Sequence, residues 1–101
     1  MNKVVYLPTA RKQLEDAVMY IAIDLCAPDA AMNLADEVDQ AVQKLKEMPY
    51  RFPIYHTLYA MKHEIRFFPV KNYHVYYVID EDSKTVEIWR VLHRLQNRDH
   101  R

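Results

Sequence analysis

The sequence predicts an α+β domain of order β-α-α-β-β-β, a helical hairpin packed on a small antiparallel sheet, and three observations carry that reading. In the first half of the chain, apolar residues recur twice at three- and four-residue steps, the spacing of one helix face. In the second half, three runs rich in β-branched and aromatic residues are separated by turn signals. The links within each half are short, which makes neighbouring elements antiparallel.

Val4-Val5-Tyr6-Leu7 is a β-prone run stopped by Pro8, and Thr9 is placed to cap the helix that follows. Ala10, Leu14, Ala17, Val18, Ile21 and Leu25 then share one face of a helix reaching about Cys26. Pro28 suits the first turn of a second helix, and Asp29 beside it complements the positive end of the dipole. Leu34, Val38, Ala41, Val42, Leu45 and Met48 form its apolar stripe, which ends before Pro49. Residues 49–61, with Pro49 and Pro53, show no period and read as a loop whose aromatics pack on the body. Residues 64–68, 73–79 and 85–92 read as strands, divided by Pro69–Asn72 and by Asp80–Lys84. In the middle strand Val75, Tyr77 and Ile79 should face the helices, and His74, Tyr76 and Val78 the open side. In the last strand Val86 and Ile88 alternate cleanly, but Trp89 and Val91 compete, so the face taken by Arg90 stays open.

The 101 residues make one domain, 1–101, since neither half alone would bury a workable core. Half the residues are hydrophobic, ample for a packed core, which argues against a disordered chain. The lone Cys26 excludes an internal disulfide and a multi-cysteine zinc site. No apolar stretch is long enough to span a bilayer, and the N-terminus has no signal-peptide pattern, so the expected place is the cytoplasm with no membrane partner. The chain contains no glycine, so glycine-rich phosphate loops and dinucleotide folds cannot be built, which argues against nucleotide-dependent chemistry; no cofactor is expected. The net charge of zero hides an asymmetry. Residues 1–50 hold five Lys/Arg against eight Asp/Glu, whereas residues 51–101 hold nine against six, together with all five histidines. A local basic surface of that kind meets phosphates or an acidic partner, or is simply a solvated end.

Three strings, in order, carry a resemblance. They are Ile65-Arg66-Phe67-Phe68-Pro69-Val70, then Tyr73 to Asp80 with its paired tyrosines, then Val86-Glu87-Ile88-Trp89-Arg90-Val91-Leu92-His93, running on through Arg94 to Arg98-Asp99. With the helical hairpin before them, they resemble the RelE/ParE toxin superfamily over nearly the whole chain, and look closer to its ParE-type members. The resemblance implies the toxin of a type II toxin–antitoxin system, a growth inhibitor held in a hetero-oligomer by a cognate antitoxin whose tail wraps over helices and sheet. ParE-type members poison DNA gyrase. RelE-type members are ribosome-dependent messenger-RNA endonucleases, and a non-toxic interaction module is a third reading.

If the chain is an enzyme, it would be a metal-independent endoribonuclease. Attack of a 2′-hydroxyl on the next phosphate needs a base, a cation for the developing charge and an acid for the leaving oxygen. Arg66, His74, Arg90, His93 and Arg94 are the candidates for these roles or for contact with another target, and Lys62, His63 and Arg98 are candidate phosphate contacts. Arg94 falls where RelE-type nucleases carry a functional arginine, and His93 near a histidine used by some. Against that branch, His74 replaces an arginine, Glu64 a lysine, and the late tyrosine is missing from the end Asp99-His100-Arg101. Each candidate also has a structural alternative: His93 as a hydrogen bonder at the sheet edge, Arg66 and Arg90 as ion-pair partners of Glu64 and Glu87. The five histidines follow no metal-ligand spacing, so no metal is expected.

Overall fold

The computed structural model describes residues 2–56 and 63–95. Strand β1, Lys3–Tyr6, passes directly into helix α1, Pro8–Met19. The helix starts one residue before the expected cap. Leu7, extended at φ −70° and ψ 153°, takes the N-cap position with no side-chain cap bond. Pro8 has a backbone angle preset for the first helical position, so it ends the strand and opens the helix at once, and Thr9 is left inside the first turn.

Beyond Met19 the chain widens into a π-helical turn, Tyr20–Asp24, where Leu25 N donates to Tyr20 O at 3.1 Å. Cys26, at φ 52°, reverses it. Helix α2, Pro28–Lys44, then runs back with Asp29 in its first turn and Lys44 in its last, both matched to the helix dipole. Its Leu34, Val38 and Val42 are buried completely, as is Leu45 just past its end. Burying side chains of that kind is worth about 1.5–3 kcal/mol each, the main force holding the hairpin to the sheet. Met48 and Leu25, the last members of the two expected stripes, are instead exposed, because the helix is already ending at both places.

Strands β2 (Ile65–Val70), β3 (Tyr73–Asp80) and β4 (Thr85–His93) form the expected antiparallel meander. The sheet order is β1-β4-β3-β2, and β1 lies parallel to β4, with Val4 opposite Val86 and Tyr6 opposite Ile88. The sheet is therefore mixed rather than purely antiparallel. The helical hairpin is the crossover between the two halves of the fold, and a crossover of that length allows the parallel pairing. Two-residue and longer turns are closed without glycine: Lys71 at φ 54° and Lys84 at φ 52° take the left-handed conformation that glycine adopts more cheaply.

Val75, Tyr77 and Ile79 face the helices as expected, with Phe68, Val70, Val86, Ile88 and Val91 beside them. The opposite side is not bare. Tyr76 is only 5% exposed because Tyr55 and Phe67 lie against it at ring distances of 5.1 and 5.8 Å. The loop after α2 reaches this side by pairing with the edge of β2: Ile54 bridges Arg66, and Tyr55 N donates to Ile65 O at 2.6 Å.

Candidate functional site

An irregularity in β4 decides which side chains meet. Tyr77 pairs with Ile88 and Tyr76 with Arg90, so Trp89 is an extra residue with no partner, a β-bulge. The bulge resolves the competing periods of this strand. Val86, Ile88 and, past the bulge, Val91 all point to the core, and Arg90 moves to the open face opposite Tyr76. Trp89 turns its indole Nε1–H to Glu87 Oε1 at 3.1 Å.

By the same register His74 stands on the open face opposite Leu92. Arg94, just beyond the strand, is fastened to the β2–β3 turn. Its backbone N donates to Asn72 O at 2.8 Å and its Nε to Asn72 Oδ1 at 3.4 Å. Burial, and after it the charge of Arg94, lowers the pKa of His74 below its ordinary 6.5. The ring is thus neutral near pH 7, with the Tyr76 hydroxyl 3.5 Å from its Nδ1 and Phe67 at its side. Arg90 is exposed, with Nη1 donating to Trp89 O at 2.7 Å. His74, Arg90 and Arg94 therefore share one face by register, and of the two guanidinium groups it is that of Arg94 whose charge reaches the neutral imidazole.

Arg66 and His93 lie elsewhere. Arg66 pairs with Tyr77 and so points to the helix side. Its side chain, 15% exposed, donates from Nη1 to Phe52 O at 2.7 Å, lies 5.2 Å from the Tyr50 ring centroid and 3.8 Å from Glu64 Oε1. With Tyr77, whose hydroxyl donates to Pro49 O at 2.6 Å, it pins the loop after α2 to the sheet. The Tyr50 hydroxyl, bonded to Glu81, adds a third tie.

His93 is opposite Tyr73, also on the helix side, with the two rings edge to face at 5.2 Å. Its Nδ1 accepts from Leu95 N at 3.1 Å, which places the proton of the neutral ring on Nε2. It lines a hollow beside α1 together with Gln13 and Tyr20. His63 lies near the Trp89 indole, 6.1 Å between centroids. Lys62 and Arg98 lie outside the described residues.

Two residues that the sequence reading passed over hold this arrangement. Asn72 orients Arg94, and Gln13 reaches from α1 to accept the Val91 N–H at 2.8 Å, closing the edge of β4 where β1 has ended. The sequence marks Asn72 only as a turn residue, and nothing local marks Gln13. Among the described residues, no cluster of three or more His, Cys, Asp or Glu side chains is arranged to hold a metal ion. Among them also, no helix is long and apolar enough to cross a membrane.

Comparison with known proteins gives a consistent result. The family model described as the ParE toxin of type II toxin-antitoxin system, parDE, matches residues 4–98. Seven chains of solved structures match. One, from the chromosomal ParDE TA system from P. aeruginosa, superposes with a TM-score of 0.70, over 92% of this chain and 96% of its own, at 13% identity. At that identity the likeness is one of fold. No curated protein matches.

Proposed function

This chain belongs to the ParE toxin family of type II toxin–antitoxin systems, and from that membership we propose that it arrests bacterial growth by binding and poisoning DNA gyrase. The open face of the sheet is the contact surface, with Arg90 and Arg94 as its cations and His74 on the same face. The observation that carries this reading is the division of the candidate groups by the bulge. An RNA-cleaving site needs a base and an acid on opposite sides of one phosphate. Here, among the described residues, the open face sets the His74 imidazole near Arg94, whereas His93 lies on the other side of the strand and His63 sits apart, against Trp89. A zero net charge also suits a protein target better than the dense phosphate surface of a ribosome.

A cognate antitoxin is the second partner. Met19, Tyr20, Ile23, Leu25 and Met32, all exposed by half or more, gather at the closed end of the helical hairpin. Apolar surface of that density is a mark of a covered face, and the antitoxin tail, docking as a helix or an added strand, would cover it.

Messenger-RNA cleavage is the competing reading, favoured by one observation, a His74 ring kept neutral by burial and by the charge of Arg94, as a general base would be. Inducible expression with mapped RNA ends and measured plasmid supercoiling separates the two. Trapped gyrase–DNA complexes with intact RNA are expected. Cuts within codons that disappear in His74→Ala would replace this reading with the nuclease one, and normal RNA with normal supercoiling would remove both.

A further inference from the structure

The groove between α2 and the outer edge of the sheet takes no part in the site above. It is a hollow of about 330 Å³, walled by Lys44 in the last turn of α2, Arg51 in the following loop and Lys71 in the β2–β3 turn. Glu37 is its one lining carboxylate among the described residues, and it is already engaged by Lys71 at 3.0 Å. Among the described residues neither Lys44 nor Arg51 has an ion-pair partner; Glu47 lies in the adjoining hollow, paired with neither. The floor is apolar, made by Ala41, Phe52 and Val70. The guanidinium of the exposed Arg51 rests 5.0 Å from the Phe52 ring centroid, a contact that favours one orientation of this cation. Pro69 on the rim has no N–H, and the pairing of the loop with β2 ends at Phe67 N to Pro53 O. The edge therefore offers carbonyl acceptors and cannot extend a strand ladder.

We propose that this groove is a docking site for a short acidic segment of a partner protein. Two of the segment's carboxylates meet Lys44 and Arg51, and an aliphatic side chain between them rests on Ala41 and Val70. Charge complementarity selects the occupant. Two cations with no ion pair among the described residues, beside an apolar floor, suit alternating acidic and aliphatic side chains, whereas a nucleic-acid backbone needs a longer basic track and gains nothing from the floor. Because Pro69 blocks strand addition, the segment is held by its side chains, and its charges set the specificity. The site is independent of whether gyrase is the target.

The test uses the full chain and three probes of equal length: a peptide alternating Glu and Val, its Gln–Val counterpart, and a single-stranded oligonucleotide. The Glu–Val peptide is expected to bind saturably, to weaken with salt, and to shift the backbone amides of Gln40–Lys44, Arg51 and Lys71. Lys44→Gln with Arg51→Gln, a folded variant by circular dichroism, should weaken that binding by about tenfold or more. Lys44→Glu with Arg51→Glu should abolish it. Equal binding of the Gln–Val peptide, preference for the oligonucleotide, amide shifts on another surface, or no binding at all would each overturn the proposal.

Discussion

The structural work of single side chains is clearest at Tyr77, which is completely buried yet keeps its hydroxyl on Pro49 O at 2.6 Å. Tyr77→Phe leaves that carbonyl without its donor, and a loss of about 1–3 kcal/mol is expected in urea unfolding. Burial pushes the Tyr77 phenol up to about 12, against the opposing charge of Arg66. The folded chain therefore keeps a proton that the unfolded chain releases near the ordinary value of 10. Stability is full below that pH and falls as pH rises through 10 to 12, and Tyr77→Phe should flatten part of that fall. Tyr6, also raised to about 12, mainly by burial, accounts for another part. His74 works in the opposite sense. Its folded pKa is lowered, so between that value and 6.5 the unfolded chain binds more protons, and stability declines as pH falls through this window. Arg94→Gln should raise the His74 pKa without restoring 6.5, because burial is the larger cause. A proton-NMR titration reads this directly, and an unmoved midpoint would show that Arg94 does not reach the ring.

Among the elements, β4 shows how much one residue can decide. Trp89 is the residue without a partner, so removing it restores an unbroken ladder with Val86, Ile88 and Val91 still inward. Deletion of Trp89 is expected to leave a folded protein, cheaper than deletion of Glu87, which turns every side chain before it to the wrong face. Circular dichroism and thermal unfolding of the two variants check this; equal damage would mean that the bulge does not set the register. The sequence announced this irregularity only as a conflict, since Trp89 and Val91 cannot both obey the alternation begun by Val86 and Ile88. Where a local rule sufficed, reading was straightforward: Pro28 opening α2, the turn residues dividing the strands, and the inward set of β3. Where two rules met, as at Pro8 and Thr9, the fixed backbone angle of proline outweighed the capping hydroxyl. The π-helical turn at Tyr20–Asp24 left no periodic trace at all.

At the scale of the molecule, the pairing of β1 with β4 joins residues about eighty positions apart, and no local pattern encodes it. For the same reason the grouping of the site could not be read in advance. His74, Arg90 and Arg94 come together, and Arg66 and His93 part from them, through strand register and a bulge rather than through spacing. The family, in contrast, was legible in three ordered strings, because each string is one strand and its turn. The proposed poisoning of gyrase places the contact on the open face, at Arg90 and Arg94. Supercoiling by purified gyrase, measured with and without the purified chain and its Arg90→Ala/Arg94→Ala variant, tests this most directly. Inhibition with accumulation of cleaved gyrase–DNA complexes, lost in a variant that stays folded, is the expected result. Supercoiling unaffected by the chain, or inhibited equally by the variant, would contradict it.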